Sequence, residues 1–287
     1  MELYQLEQFM AAAELSHITR AAQKLSISQP ALSKNIHALE KELGYPLFDH
    51  VGKNIRLNRN GEILLRYVRE VFSALENARS ELKDYNGSAC TISLYVKAAS
   101  RLLPDILQTF SRLHPGIRFS VSQFPTPSGQ PDCDFTIESS LIRSSGKESC
   151  TLLKENILVA LPSKHPLSSG SSVNLADLRD EPFISLQKGI GLSSITDYYC
   201  QLCGFQPNIV FESDSPSTIR NMIHLGLGIA FIPELTWPGL EDESIRLLAV
   251  RNVNCIRYIN LSWNNHRYHP AAAWEFKDFL VQYFAEL

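Results

Sequence analysis

Residues 18–33 read ITRAAQKLSISQPALS, a segment that predicts two short helices joined by a tight turn. The first half is rich in good helix formers, and Ala21 and Ala22 are small enough to let another helix cross closely. Ser28 can cap the second helix through its hydroxyl, and Pro30 falls in the first turn, where its missing N–H costs little. The segment therefore predicts a helix-turn-helix whose second helix begins at Gln29.

The second helix is amphipathic. Its apolar positions recur at helical spacing and comprise Leu32, Ile36, Leu39 and Leu43. Its polar positions lie on the other side and comprise Gln29, Ser33, Lys34 and His37. Amide, hydroxyl and cationic groups at the start of such a helix can pair with base edges and phosphates in the DNA major groove. An ordinary helix pair with a solvated polar face has the same spacing, so the spacing alone leaves both interpretations open.

The surrounding sequence adds a dense, ordered set of matches. They are Thr19 to Ala22, Leu25, Ser28 to Ser33, Ile36, Leu39-Glu40, Leu43-Gly44, Leu47-Phe48, Ile55 to Asn58 and Gly61. Together they resemble the N-terminal signature of LysR-type transcriptional regulators. The resemblance implies a winged helix-turn-helix over residues 1–58 that binds double-stranded DNA at an interrupted inverted repeat. The DNA-binding residues expected from the pattern and the resemblance are Thr19, Arg20, Ser28, Gln29, Pro30, Ser33, Lys34, His37, Lys53 and Arg56.

The segment after Phe48 predicts the wing of this domain. Residues 49–57 place a polar turn between apolar ends, which favours a small β-hairpin. Lys53 and Arg56 are its candidate phosphate contacts. LysR-type sequences usually carry an arginine soon after Leu-Phe, whereas this chain has His50, an imidazole that is mostly neutral at pH 7. One contact with the DNA backbone that the family resemblance implies is therefore missing at His50.

Asn58 can cap a long helix predicted over residues 59–85, followed by a hinge at residues 86–88. The helix has an apolar side that needs a partner. The resemblance implies antiparallel pairing with the same helix of a second copy, in a homodimer or homotetramer. The expected dimerisation residues are Tyr67, Val68, Val71, Phe72 and Leu75. Packing against its own chain is the alternative for this helix.

Beyond the hinge, strand and helix patterns alternate, which indicates an α/β sheet and an α+β protein overall. The predicted strands include residues 91–96, 117–124, 134–137, 156–161, 183–186 and 209–211. The resemblance implies a two-lobed, periplasmic-binding-protein-like effector domain over residues 88–287. Lobe I would comprise residues 88–161 and 264–287, and lobe II residues 162–263. One departure is the proline-rich segment 125–131, which replaces a helix usual in relatives and shortens one wall of lobe I.

A small-molecule effector is expected between the lobes, where strands end at their carboxyl termini. The candidate effector-binding residues are Ala99, Ser100, Gln187, Ser193 and Ser217. The three serines could equally be helix N-caps with no ligand role.

Composition and motifs narrow the function further. A net charge of −3 confines any DNA-binding basic surface to a local patch. We find no nucleophile motif, phosphate loop or dinucleotide fingerprint, so we expect neither enzymatic activity nor a cofactor or metal.

The N-terminus lacks the basic and apolar regions of a secretory signal, and no apolar run approaches the roughly 18 residues of a membrane span. A cytoplasmic regulator without membrane contact is expected. A thiol-based redox sensor using Cys200 and Cys203 is the alternative function.

Overall fold

The computed structural model describes residues 1–51, 54–87, 90–125, 132–188, 191–240 and 242–287. These residues form two compact units. The first contains residues 1–87 and 266–268, and the second contains the remaining described residues. No helix in the described part of the chain is long and apolar enough to cross a membrane.

The first unit contains four helices and a two-stranded hairpin. Its elements are α1 (Leu3–Leu15), α2 (Ile18–Lys24), α3 (Gln29–Leu43), β1 (Phe48–Val51), β2 (Asn54–Leu57) and α4 (Arg59–Tyr85). Its core is formed by Leu6, Phe9, Ala21, Ala22, Leu32, Ile36, Leu39, Leu47 and Ile55. Ala21 is fully buried, which explains why the α2 sequence needs small residues where α1 and α3 approach it. The winged helix-turn-helix predicted from the sequence is confirmed.

The helix ends follow the predicted chemistry. The Ser28 hydroxyl accepts a hydrogen bond from the Ala31 backbone N–H at 3.3 Å, and α3 is followed by its C-cap Gly44, whose φ of +78° suits a residue without Cβ. The Asn58 side chain accepts from the Gly61 N–H at 3.0 Å and caps α4. Gly61 is required here because a Cβ at this position would collide with the Leu47 carbonyl oxygen and the Leu57 side chain.

The second unit is an α/β domain with two hydrophobic cores. Its strands are β3 (Thr91–Val96), β4 (Arg118–Ser122), β5 (Phe135–Ser140), β6 (Ser145–Gly146), β7 (Ser149–Pro162), β8 (Ser172–Val173), β9 (Pro182–Leu186), β10 (Asn208–Ser213), β11 (Ala230–Pro233), β12 (Ile245–Val250) and β13 (Ile256–Trp263). Its helices are α5 (Leu103–Leu113), α6 (Gly191–Leu202), α7 (Pro216–His224) and α8 (Ala271–Ala285), with short 3₁₀ turns at Pro166–Ser169 and Leu175–Leu178. One core surrounds Phe110, Phe135 and Phe276, and the other surrounds Phe183 and Phe231.

Strand β7 joins these two cores. Its first part, up to Asn156, pairs antiparallel with β13, and its second part, from Ile157, pairs with β11 and β12. The large sheet has the order β4-β3-β5-β13-β7-β12-β8, whereas β9 and β10 pair with each other. A single strand thus passes from one lobe of the domain into the other, and the residues near position 156 lie at the crossing.

Two details of the sequence prediction need correction. The predicted strand 156–161 is the second half of the longer β7, since Ser149 to Lys154 continue the pairing with β13. Strand β13, assigned above to lobe II, pairs with β5 and β7 of lobe I, so the chain returns to lobe I at Ile256. The sequence of β13 shows polar and apolar residues in partial alternation, but it does not indicate that β5 and β7 are the strands that pair with it. Residues 126–131 of the proline-rich segment lie outside the described residues.

Candidate nucleic-acid interface and ligand cleft

The outer face of α3 carries the side chains expected to read DNA. Gln29, Lys34 and His37 are exposed, and Ser33 is half-buried. The Gln29 side-chain amide donates a hydrogen bond from Nε2 to Ser33 Oγ at 3.0 Å, so these two groups lie side by side one turn apart. His37 Nδ1 lies 3.1 Å from Glu40 Oε2, and Glu40 also accepts from the Leu47 N–H. The arrangement presents an amide and a hydroxyl together at the start of an exposed helix.

The other predicted residues of the helix-turn-helix surround this pair. Thr19 and Arg20 are exposed in the first turn of α2, and Pro30 is exposed at the second position of α3. Ser28 is exposed too, but its hydroxyl is engaged in capping α3. Thr19, Arg20 and the start of α3 therefore all belong to the first unit and are exposed there. Ser28, in contrast, has the structural role of capping α3.

The wing contributes one described cation. Arg56 is exposed on β2 opposite Asp49 of β1, with 3.6 Å between its Nη2 and the Asp49 carboxylate. Both groups are more than half exposed, so this pair contributes little stability and leaves Arg56 able to exchange Asp49 for a phosphate. The pairing of Arg56 with Asp49 was not predicted from the sequence, because it depends on the register of the hairpin. Lys53 lies outside the described residues, as does the side chain of His50.

Helix α4 has an exposed apolar stripe at intervals of four residues. Ile63, Tyr67, Val71 and Leu75 are between 38% and 53% exposed, which is high for apolar side chains. Phe72 is half-buried against the core of the first unit. Val68 is only 2% exposed and belongs to that core, so it offers no surface to a second chain. The prediction for Val68 was wrong because the apolar side of α4 is wide. One part of it, with Val68, packs into the core of the first unit, and the other part is the exposed stripe.

A cavity of about 480 Å³ lies between the lobes of the second unit. It is lined by Ala99 and Ser100 after β3, by Gln123 to Pro125 after β4, by Gln187 and Lys188 after β9, by Asp214 before α7 and by Pro216, the first residue of α7. Strands β3, β4 and β5 are parallel, as are β9 and β10, so these loops are at the carboxyl ends of both strand sets. That is the position at which ligands of open α/β sheets bind.

Four of the five predicted effector residues line one of two adjoining cavities, and the fifth lines neither. Ala99, Ser100 and Gln187 line this cavity, and Ser217 lines an adjoining one of about 380 Å³ with Ser100. Ser193 was wrongly placed: it is 5% exposed as the third residue of α6 and lines neither cavity. Ala99 has a φ of +56°, a left-handed conformation that alanine adopts at some cost and that often marks a functional position.

The alternative of helix capping fails for these serines. The N-cap of α5 is Leu102 without a side-chain hydrogen bond, and α7 is capped by Ser215, whose Oγ accepts from the Thr218 N–H. Ser217 lies beyond that cap, with its Oγ 2.9 Å from the Ser215 Oγ. The Ser100 hydroxyl at the cavity wall is therefore not used to cap α5.

Several cavity residues were not predicted. Lys97 pairs with Glu138 at 2.8 Å, and the aromatic residues Tyr95, Phe124 and Trp237 also line the cavity. Ser139 and Arg257 also belong to the lining, from β5 and β13. An arginine inside the apolar strand sequence IRYINLSW was the available signal for Arg257, because a buried cation requires a specific partner. That partner is Glu155, at 2.8 Å.

Two of the cysteines, Cys200 and Cys255, are buried thiols. Burial raises the pKa of the Cys200 thiol to about 12, and burial likewise raises the pKa of Cys255 to about 12. At neutral pH these thiols are almost wholly protonated, whereas oxidation by peroxide requires a thiolate. Cys203 lies in the turn directly after α6 and accepts a weak hydrogen bond from Asn252 at 3.3 Å. Among the described residues, no group of three or more His, Cys, Asp or Glu side chains is placed to hold a metal ion.

Two family models match the chain. One, described as bacterial regulatory helix-turn-helix protein, lysR family, matches residues 3–62, and the other, described as LysR substrate binding domain, matches residues 87–285. The chain is 32% identical to YybE, an HTH-type transcriptional regulator of Bacillus subtilis (strain 168), with 100% of both chains covered. It is 27% identical to GltC, a transcriptional dual regulator of the same strain, over 100% of this chain and 99% of GltC. The crystal structure of full-length CbnR complexed with its target DNA matches with a TM-score of 0.64 at 18% identity, covering 98% of this chain and 99% of CbnR, which shows a common fold.

Proposed function

The chain belongs to the LysR family of transcriptional regulators, and we propose that its α3 reads bases while its interlobe cavity senses a small molecule. Members of the family are regulators and not enzymes; they bind DNA, respond to effectors and form oligomers. The observation that carries our assignment of residues is the hydrogen bond between the exposed Gln29 and the half-buried Ser33 at the start of α3. We further propose that the protein acts in the cytoplasm, where its DNA target is.

The DNA contacts follow from the chemistry of each side chain. A glutamine amide can donate to and accept from adenine N7 and N6 at once, and a serine hydroxyl pairs with either kind of base edge. The Gln29–Ser33 hydrogen bond orients the amide before DNA arrives, which reduces the entropy lost on binding. Thr19, Arg20, Lys34, Lys53 and Arg56 are assigned to the phosphates, because a hydroxyl or a cation there fixes position without reading sequence.

The stripe of Ile63, Tyr67, Val71 and Leu75 is assigned to the contact between two copies. Exposed apolar residues at four-residue spacing form a seam over residues 63–75 of α4, and such a seam favours burial against another helix. A two-fold axis through paired α4 helices would present two α3 helices to two half-sites, so the operator should be an interrupted inverted repeat.

Selection from a random duplex library with the full-length protein tests this proposal. Repeated binding and amplification should recover two half-sites related by two-fold symmetry and separated by about one helical turn or a multiple of it. Gln29→Ala should recover a degenerate base at one position of each half-site. Gln23→Ala, the same change of an exposed amide on α2, is the matched control and should recover the wild-type sequence. Recovery of unrelated sequences by the wild-type protein would contradict the proposal.

The cavity is tested separately with the effector response. In a reporter strain, Ser100→Ala should shift the dose-response to higher inducer concentration while leaving operator binding without inducer unchanged, because an effector acts only through different affinities for two states. Ser193→Ala is the matched serine control, since Ser193 is buried away from the cavity. Equal shifts in both variants would show that the cavity is not where the inducer binds.

A further inference from the structure

Glu155 and Arg257 form a buried ion pair at the crossing between the lobes. Glu155 lies on β7 directly opposite Arg257 of β13, one residue before β7 reaches its last pairing with β13. Its carboxylate accepts four hydrogen bonds: from the Leu235 and Thr236 N–H groups at 3.0 and 2.9 Å, from Thr236 Oγ1 at 2.9 Å and from Arg257 Nε at 2.8 Å. Leu235 and Thr236 follow β11 of lobe II, so this carboxylate connects both lobes.

Arg257 has donors to spare and lines the cavity. Its Nε contacts Glu155 and its Nη2 contacts Thr236 Oγ1 at 2.6 Å, which uses two of the five N–H groups of a guanidinium. The other three have no hydrogen-bond partner among the described residues, although the side chain is only 3% exposed. Burial lowers the pKa of Arg257 and the Glu155 carboxylate raises it, so an additional anion would stabilise the charged guanidinium.

Ser139 is a second unsatisfied donor in the same lining. Its Oγ is buried and has no hydrogen-bond partner among the described residues. Ser139 of β5 lies opposite Ile259 of β13, and Arg257 is two residues along the same strand. Residues in this diagonal relation lie on one face of the sheet, with Cα atoms about 7–8 Å apart. Buried polar groups without a partner are rare in folded proteins, and each one needs an explanation such as a functional role or a bound water or ion.

The other charges of the cavity are either paired or solvated. Lys97 is paired with Glu138, Lys188 is exposed, and Asp214 is the one lining carboxylate in the described part of the cavity wall. Asp214 is exposed, so water and salt screen its repulsion, whereas the buried guanidinium acts through a low dielectric. The Arg257 charge is compensated by Glu155, so the floor of the cavity offers an anion the unused N–H donors of Arg257 and the Ser139 hydroxyl.

We propose that the effector is a small organic acid whose carboxylate accepts hydrogen bonds from Arg257 and Ser139 at the floor of the cavity. Its apolar part lies against Tyr95 and Trp237, which line the same cavity. This inference rests on the proposed function of the cavity as the effector site and adds the chemical class of the effector. Because Arg257 also holds Glu155 and Thr236, the bound carboxylate acts directly on the residues that connect β7, β13 and the segment after β11.

Fluorine NMR with two matched probes tests the proposal on the full-length protein. The probes are 4-fluorobenzoate and 4-fluorobenzamide, which share size and ring but differ in charge. We expect saturable line broadening for the acid and at least about tenfold weaker binding of the amide, since a hydrogen-bonded charge is worth roughly 1.5–3 kcal/mol. Ser139→Ala should weaken binding of the acid about three- to tenfold. The double variant Glu155→Gln with Arg257→Met, which removes both charges of the pair, should weaken it at least about tenfold.

Arg251→Gln is the matched control, because Arg251 is an exposed cation of lobe II that does not line the cavity. It should bind the acid as the wild type does. Equal binding of acid and amide, binding of neither, or unchanged acid binding in the Ser139 and double variants would each overturn the proposal. In those cases an inducer response that still depends on Ser100 would keep the cavity as the effector site, whereas loss of that dependence would count against the proposed function itself.

Discussion

Removing one partner of the Glu155–Arg257 pair should destabilise the second unit far more than removing both. The two side chains are 0% and 3% exposed and 2.8 Å apart, so Arg257→Met leaves a buried carboxylate without its cation. Such a change typically costs about 3–5 kcal/mol, and we expect the lower end because three donors from Leu235 and Thr236 still contact Glu155. Combining Glu155→Gln with Arg257→Met should return the free energy of unfolding to within about 1 kcal/mol of wild type.

Tryptophan fluorescence during urea unfolding measures this difference. Trp237, Trp263 and Trp274 are the three tryptophans of the chain, and all lie in the second unit, so their signal reports that unit alone. A single transition with an unchanged slope validates the comparison between variants. A cost below about 1 kcal/mol for Arg257→Met, or an equal cost for the single and double variants, would refute the reasoning that the pair is electrostatically coupled.

Three further predictions concern the other surfaces. Arg56→Ala should weaken binding to all DNA sequences alike and reduce the slope of log K against log salt by about 0.9, since one phosphate contact is lost; an unchanged slope would exclude that contact. Val71→Asp should lower the mass seen by sedimentation without unfolding the chain, whereas Val68→Ala should keep the mass and lower the free energy of unfolding by creating a cavity; the reverse pattern would place the seam elsewhere. Cys200→Ala should leave the inducer response intact, because burial raises the pKa of this thiol to about 12, and a lost response would revive the redox alternative.

The first unit was largely predictable because its signals are local. Ser28 and Asn58 define helix starts by side-chain capping within three residues, and the long helix has the predicted bounds of Arg59 and Tyr85. Periodicity also identified the apolar side of that helix. It could not divide this side between the core of the unit and the exposed stripe, because that division depends on which residues of α1 to α3 approach Val68 in space.

The cavity was only partly predictable because its lining comes from distant parts of the chain. Ala99, Ser100 and Gln187 were found from the rule that ligands bind at the carboxyl ends of strands. Arg257 was missed since its role depends on β13 returning beside β7 and β5, a pairing that no local pattern encodes. Ser193 was misplaced for a similar reason: the helix α6 begins at Gly191 and turns this serine inward.

The central claim, that the start of α3 reads bases, is tested most directly by the affinity of Gln29→Ala for two DNA duplexes. Fluorescence anisotropy at one fixed salt concentration would compare the selected operator with a scrambled duplex of equal length and composition. We predict a loss of about 1–3 kcal/mol on the operator and almost none on the scrambled duplex, because in our proposal Gln29 contacts bases and not phosphates. An equal loss on both duplexes would contradict the claim and reassign Gln29 to the DNA backbone.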